Sequence, residues 1–182
     1  MKIVIDIDNT ILDTSNMIIN LYNKIYNKNI KTNYNYLQWD FKPYITKEEL
    51  PKVLELFNNE HLYDNPIVFP HAIETINDWC NKGHEIIICS KHSEERKPYT
   101  TKWIKSVMPK VKIFYTDTFD KSIVGHVDIA IDDKIECLNS INADYKILYG
   151  NYNWNKHIKL DGYSEINTKA NNWYSVNWLI NG

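Results

Sequence analysis

The chain has 182 residues, is 43% hydrophobic and carries a formal net charge of -2. That apolar content can bury one substantial core with a small insertion, and the slight acidic balance excludes a nucleic-acid polymer or an anionic membrane as the expected partner. Cys80, Cys89 and Cys137 are odd in number and unpaired by any C-x-x-C spacing, and Asp6 and Asp8 interrupt the N-terminal apolar run, so a cytoplasmic protein without export or membrane segment is expected.

In chain order, Ile3-Val4-Ile5 reads as a buried strand that runs into Asp6 and Asp8. Two carboxylates at i and i+2 share a heading in a strand, an arrangement that costs stability unless a cation or a proton transfer uses it. Thr14 or Ser15 can cap a helix to about Asn27, with Ile18, Leu21, Tyr22 and Ile25 on one face. Residues 28–44 have no period and read as loop. Thr46-Lys47-Glu48-Glu49 has capping-box spacing, and a helix is expected from there toward Asn59, with Pro51 in its first turn or the start later. A helical cap is therefore expected over residues 14–69, inserted into a core domain of residues 1–13 and 70–182.

The core resumes with a helix carrying Ala72, Ile76 and Trp79 that stops at Gly83. Glu85 to Cys89 is a continuous apolar strand ending at Ser90, and Ser93 can cap a helix that Pro98 must delay. Strands are expected at 111–115, 127–131 and 145–149, with Lys121 in a loop before the second of these and Asp132-Asp133 directly after it. A short helix follows at Ile135, Leu138 and Ile141, and a last helix is expected from Thr168 to Ile180. Tyr152, Trp154 and Trp173 could close the sheet edge or form a homodimer surface.

Strands alternating with helices imply a doubly wound α/β fold with a parallel sheet, whose sites lie at the carboxyl ends of the strands. Asp6, Asp8, Ser90, Lys121, Asp132 and Asp133 all fall at that edge. Carboxylate pairs, a hydroxyl and an ammonium together suit a magnesium phosphate site, because magnesium takes one or two carboxylates and leaves positions for phosphate oxygen. Lys91, Lys97 and Lys134 are other candidates for the ammonium. A Walker B reading of Asp132-Asp133 falls, since the chain has no G-x-x-x-x-G-K-[ST] loop.

Asp6-Ile7-Asp8-Asn9-Thr10, Ser90, Lys121 and Asp132-Asp133 resemble the four ordered motifs of the haloacid dehalogenase superfamily over roughly residues 1–149. The resemblance implies that Asp6 is a nucleophile forming an aspartyl-phosphate and Asp8 an acid/base. It implies that Ser90 and Lys121 hold the phosphate. Magnesium would sit on the Asp6 carboxylate, the Asp8 backbone carbonyl and Asp132, with Asp133 nearby. Asp128 to Lys134 is similar to the D-x-x-I-D-D-K stretch of the 5'(3')-deoxyribonucleotidase branch, which implies a nucleoside or deoxynucleoside 5'-monophosphate as the substrate. In that branch Trp39 and Phe41 fall where the cap supplies aromatics for the base. The chain departs from it at Asn9, where Gly is usual, and at Thr14, where an aromatic is usual. Another small ester such as a sugar phosphate is the alternative substrate. A receiver-type phospho-acceptor module combines similar groups, but carries its phosphorylated Asp in mid-chain and lacks an insertion after the first strand.

Overall fold

A computed structural model describes residues 1–158 and 167–181; residues 159–166 and 182 lie outside the described residues. Six parallel strands form one sheet in the order β3-β2-β1-β4-β5-β6: β1 Lys2–Ile5, β2 Glu85–Lys91, β3 Lys112–Thr116, β4 Val127–Asp132, β5 Ala143–Tyr149 and β6 Thr168–Ala170. The chain winds outward from β1 through β2 to β3, then crosses back to lay β4 on the other side of β1. That reversal opens a crevice at the carboxyl ends of β1 and β4, the place where doubly wound sheets bind ligands.

Both faces of the sheet are buried because side chains alternate along each strand. Ile3, Ile5, Ile86, Ile88, Ile129 and Ile131 point to one hydrophobic cluster. Val4, Ile87, Cys89, Ala130 and Leu148 point to the other. Helices α3 (Ala72–Asn81), α4 (Lys97–Val107) and α6 (Trp173–Asn181) contribute Trp79, Ile104 and Trp173 to the first cluster, and α5 (Ile135–Ser140) contributes Leu138 to the second.

The inserted segment begins with α1 (Thr14–Tyr26) and includes α2 (Leu50–Glu55) and two 3-10 turns at Leu56–Asn58 and Glu60–Tyr63. Its entry and exit run side by side: Asp13 N donates to Ile67 O at 2.8 Å and Phe69 N to Ile11 O at 2.9 Å. Leu37, Val53, Leu56 and Leu62 join the same hydrophobic cluster as β1, so the insertion is packed onto the core.

Several expectations need correction. Asp13, not Thr14 or Ser15, caps α1, its Oδ1 accepting from Asn16 N at 3.1 Å. The expected helix from residue 46 is shorter and later. Thr46 does bind Glu49 N, at 3.3 Å, but α2 starts at Leu50 with Pro51 in its first turn and gives way to 3-10 turns. Ser93 Oγ accepts from Arg96 N at 3.3 Å within the turn that precedes α4. The last helix splits: Thr168–Ala170 pairs with β5 as β6, and α6 starts after Asn172, whose Oδ1 accepts from Ser175 N at 2.8 Å. Three residues are too few to show a strand period, and the Asn172 cap was the visible signal for the later helix start.

Candidate active site

Asp6 leaves β1 with its N–H bonded to Ile131 O of β4 at 3.0 Å, which sets it beside Asp132 across the crevice. The chain then folds tightly around the carbonyl of Ile7, which accepts from the N–H groups of Thr10, Ile11 and Leu12. This turn needs a left-handed residue, and Asn9 supplies it with φ 56. Asn tolerates that region better than other side-chain-bearing residues, which accounts for Asn in place of the Gly usual in the resembled branch.

Lys121 joins the two acidic motifs. Its Nζ lies 2.6 Å from Asp6 Oδ1 and 2.6 Å from Asp132 Oδ2, and the side chain is almost fully enclosed. Lys91 and Lys134 instead lie over the ring of Phe119, and Lys97 pairs with Glu94. Asp132 Oδ1 accepts from Lys134 N at 2.9 Å. Asp133 Oδ2 accepts from Trp154 Nε1 at 2.9 Å, and its backbone carbonyl from Asn155 Nδ2 at 3.0 Å. The segment after β5 thus braces the acidic pair, and Tyr152 OH reaches Asn9 O at 2.7 Å from the same side.

Asp8 has a different environment. Arg96 donates to both its oxygens, Nη1 to Oδ2 at 2.8 Å and Nη2 to Oδ1 at 2.7 Å. Thr14 Oγ1 adds a bond to Oδ1 at 2.7 Å, so the hydroxyl where an aromatic is usual has a function in this chain. Arg96 is itself held by Tyr63, whose hydroxyl accepts from Nε at 3.1 Å, and its guanidinium lies 5.1 Å from the Phe57 ring centroid. Both aromatic residues belong to the insertion.

These settings separate the two carboxyls electrostatically. Burial pushes Asp6 up to about 7, Lys121 opposes the rise, and Asp132 and Asp8 add to it. Burial also acts on Asp8, but the Arg96 guanidinium outweighs it and holds that carboxyl well below the usual range. Asp133 is raised well above its ordinary value by burial and then by Asp132 and Asp6. Lys121 is raised despite burial, because Asp132 and Asp6 favour its charge.

Asp6, Asp132 and Asp133 each offer an oxygen within 4.8 Å of the others, all three buried. Three carboxyls face one ammonium, and hard oxygen donors with surplus negative charge suit a divalent cation such as magnesium. The Asp8 carboxylate is outside this group, tied to Arg96.

A cleft of about 320 Å³ opens over these residues, and Ser90 at the end of β2 lines it. Phe41 and Trp39 line it differently. Phe41 is buried and packs edge-on to Phe57 at 6.1 Å, whereas Trp39 stands 60% exposed at the mouth with Lys134 Nζ 4.5 Å from its ring centroid. Reading the sequence missed Arg96 and His92, and gave Trp154 a place at the sheet edge or a homodimer surface where the structure sets it against Asp133. One signal for Arg96 was available: it is the only arginine among 21 Lys and Arg residues.

The sequence pattern of the family described as "5' nucleotidase, deoxy (Pyrimidine), cytosolic type C protein" matches residues 1–181. The chain belongs to this family. Within the 5' nucleotidase family setting, a Bacillus cereus protein named "Putative nucleotidase" is 29% identical over 108 residues, which are 57% of this chain and 57% of that relative. The match therefore spans little more than half the length of this curated relative. Among solved structures, a haloacid dehalogenase-like protein of Agrobacterium tumefaciens aligns with a TM-score of 0.65 at 11% identity, covering 98% of this chain and 96% of that one. A Pseudomonas syringae hydrolase gives 0.60 at 14%, covering 99% and 98%. The D,D-heptose 1,7-bisphosphate phosphatase of B. bronchiseptica, complexed with magnesium and phosphate, gives 0.55 at 11%, covering 99% and 98%. At these identities the likeness is one of fold, and it places the 5' nucleotidase family chain on the haloacid dehalogenase-like α/β scaffold. Among its described residues, no helix is long and apolar enough to cross a membrane.

Proposed function

We propose that the chain is a magnesium-dependent phosphomonoesterase that removes phosphate from nucleoside or deoxynucleoside 5'-monophosphates through an aspartyl-phosphate on Asp6. The observation that carries this reading is the Lys121 ammonium bonded to both Asp6 and Asp132 beneath a cleft lined by Ser90. The family match supports the nucleotide as substrate.

Asp6, Asp132 and the Asp8 backbone carbonyl would hold magnesium, with Asp133 supporting them. When bound, the cation offsets the charge of the phosphoryl oxygens and of the buried carboxylates. Lys121 and Ser90 orient the phosphoryl group and stabilise its developing charge. An Asp6 oxygen attacks phosphorus, the bond to the ester oxygen breaks, and that oxygen takes a proton from Asp8. In the second step Asp8 accepts a proton from water as the water oxygen attacks phosphorus, releasing inorganic phosphate and the Asp6 carboxylate. The pairing with Arg96 and Thr14 favours the ionised Asp8 that this second step needs, and it must loosen for Asp8 to carry the proton that the first step uses. Trp39, exposed at the mouth, and Phe41 behind it are the aromatic surfaces available to a base. The free thiols Cys80, Cys89 and Cys137 fit a reducing cytoplasm.

The test is a phosphate-release screen of nucleoside and deoxynucleoside monophosphates against sugar phosphates, with magnesium and with EDTA. Deoxynucleotides should rank near the top, and EDTA or Asp6→Asn should abolish release while the fold survives. Undiminished activity in Asp6→Asn would overturn the mechanism, and a clear preference for sugar phosphates would overturn the substrate.

A further inference from the structure

His92 is only 3% exposed, lines the catalytic cleft, and has no hydrogen-bond partner on either ring nitrogen among the described residues. An unpartnered buried imidazole is costly, since each polar atom has given up water for nothing in return. Such a group at a cleft wall is paired when the cleft is filled. What fills it follows from where the ring lies and from its charge.

The residue continues β2 by one step beyond Lys91: its N–H bonds Thr116 O of β3 at 3.0 Å, as a further rung of that pairing. Ser90 and His92 are two apart in extended chain, so both face the cleft, about 6.6 Å apart along the strand. Tyr115 backs the ring at 5.1 Å between centroids. The ring lines the same cleft as Asp8 and Arg96, and both act on its charge. Burial and then Arg96 keep the imidazole neutral, with its pKa lowered to about 3. A neutral ring offers one N–H donor and one nitrogen acceptor. A phosphoryl oxygen accepts only, and Lys121 and Ser90 already serve it. A hydroxyl both donates and accepts, and one carried on the leaving alcohol a few bonds from the ester oxygen would come within reach of the ring.

We infer that His92 is a specificity-determining residue that hydrogen-bonds a hydroxyl of the leaving alcohol, in a nucleotide the 3'-hydroxyl of the sugar. The inference rests on the phosphomonoesterase reading above and adds to it a requirement on the substrate. It makes the site select for hydroxylated alcohols, because a substrate lacking that hydroxyl leaves the imidazole unpaired in the bound complex.

The experiment compares kcat/KM for a deoxynucleoside 5'-monophosphate and for its 2',3'-dideoxy analogue, in the presence of magnesium, for the native protein, His92→Phe and His92→Gln. The ratio of the two values is read, so that any general damage to the fold or the chemistry cancels. The native ratio should be about tenfold or more in favour of the hydroxylated substrate, the cost of one unpaired buried polar group. It should fall to near one in His92→Phe and keep part of its size in His92→Gln, which retains a donor and an acceptor. A native ratio near one, or a ratio unchanged in both variants, overturns the inference. If p-nitrophenyl phosphate and the nucleotides are turned over without hydroxyl preference, only this inference fails. If no phosphomonoester is turned over, the phosphomonoesterase reading fails and takes this inference with it.

Discussion

Arg96 grips Asp8 with two nearly equal bonds, 2.8 and 2.7 Å, across 88 residues of chain. The fork geometry matches a carboxylate in a way that a lysine ammonium cannot. Removing the fork leaves Asp8 in a mostly buried place with only Thr14 as partner among the described residues. Arg96→Met should therefore cost about 3 kcal/mol of stability. It should also release the Asp8 carboxyl upward, moving the Asp8-dependent limb of the pH–kcat profile to higher pH. Arg96→Lys should fall between. A profile that stays in place while stability drops would show that Arg96 has no bearing on the acid/base step.

Lys121 neutralises two carboxylates at once, and nothing else cationic is bonded to them among the described residues. Lys121→Met should destabilise the metal-free protein by about 3–5 kcal/mol, the cost of stranding buried charge. Magnesium should recover part of that loss, because it can stand against the same carboxylates. Chemical denaturation with and without magnesium measures both, and turnover should be lost in either condition.

Asp6 and Asp8 respond to pH in opposite directions. With its carboxyl raised to about 7, folded Asp6 holds a proton that the unfolded chain sheds near pH 4. Its contribution to stability is full below that unfolded value and is lost as pH rises through about 7. Asp8 is depressed, so its contribution is present above the unfolded value and is lost only as the solution becomes strongly acidic. Between about pH 5 and 8 Asp6, joined by Asp133 which burial raises in the same sense, outweighs buried neutral His92, which acts in the opposite sense below its ordinary value, and the metal-free unfolding midpoint should fall as pH rises. Magnesium should flatten that fall, since the cation takes the place of the proton. Thermal unfolding across this range, with and without magnesium, is the measurement.

Trp154 presents its indole N–H to Asp133 while stacking on Tyr152 at 4.5 Å and 14°. Trp154→Phe keeps the stacking and removes the donor. The Asp133 carboxyl then rises further, which disfavours the ionised form a metal would bind. Magnesium affinity should drop about 10- to 100-fold, the usual effect of losing a partner behind a ligand. Calorimetric titration without substrate reads it directly.

Much of the site was legible because it depends on local pattern. Apolar runs ending in Asp6, Ser90 and Asp132 each place a polar group at the carboxyl end of a parallel strand, and one fold rule gathers those ends together. Arg96, His92 and Trp154 depend on other facts. Arg96 lies in a charged turn, Ser93-Glu94-Glu95-Arg96-Lys97, that reads as solvated surface. Only the packing of Phe57 and Tyr63 over it turns its guanidinium inward. His92 has no ligand spacing to announce it, and its significance is that both nitrogens are buried without partners among the described residues.

The sequence by itself determined the strand-and-helix alternation and the acidic strand ends, because side-chain periodicity and strand-end chemistry act over a few residues, whereas it left the ammonium open among four lysines until the fold set Lys121 Nζ between Asp6 and Asp132. Tertiary structure decided what charge each group carries and what each can bind. Asp6 and Asp8 are two residues apart and identical in type, yet one is shut in with Lys121 and two other carboxyls and the other is held by a guanidinium. Desolvation and Coulomb energy depend on distance through space, and that distance is set only when the insertion and the tail close over the sheet.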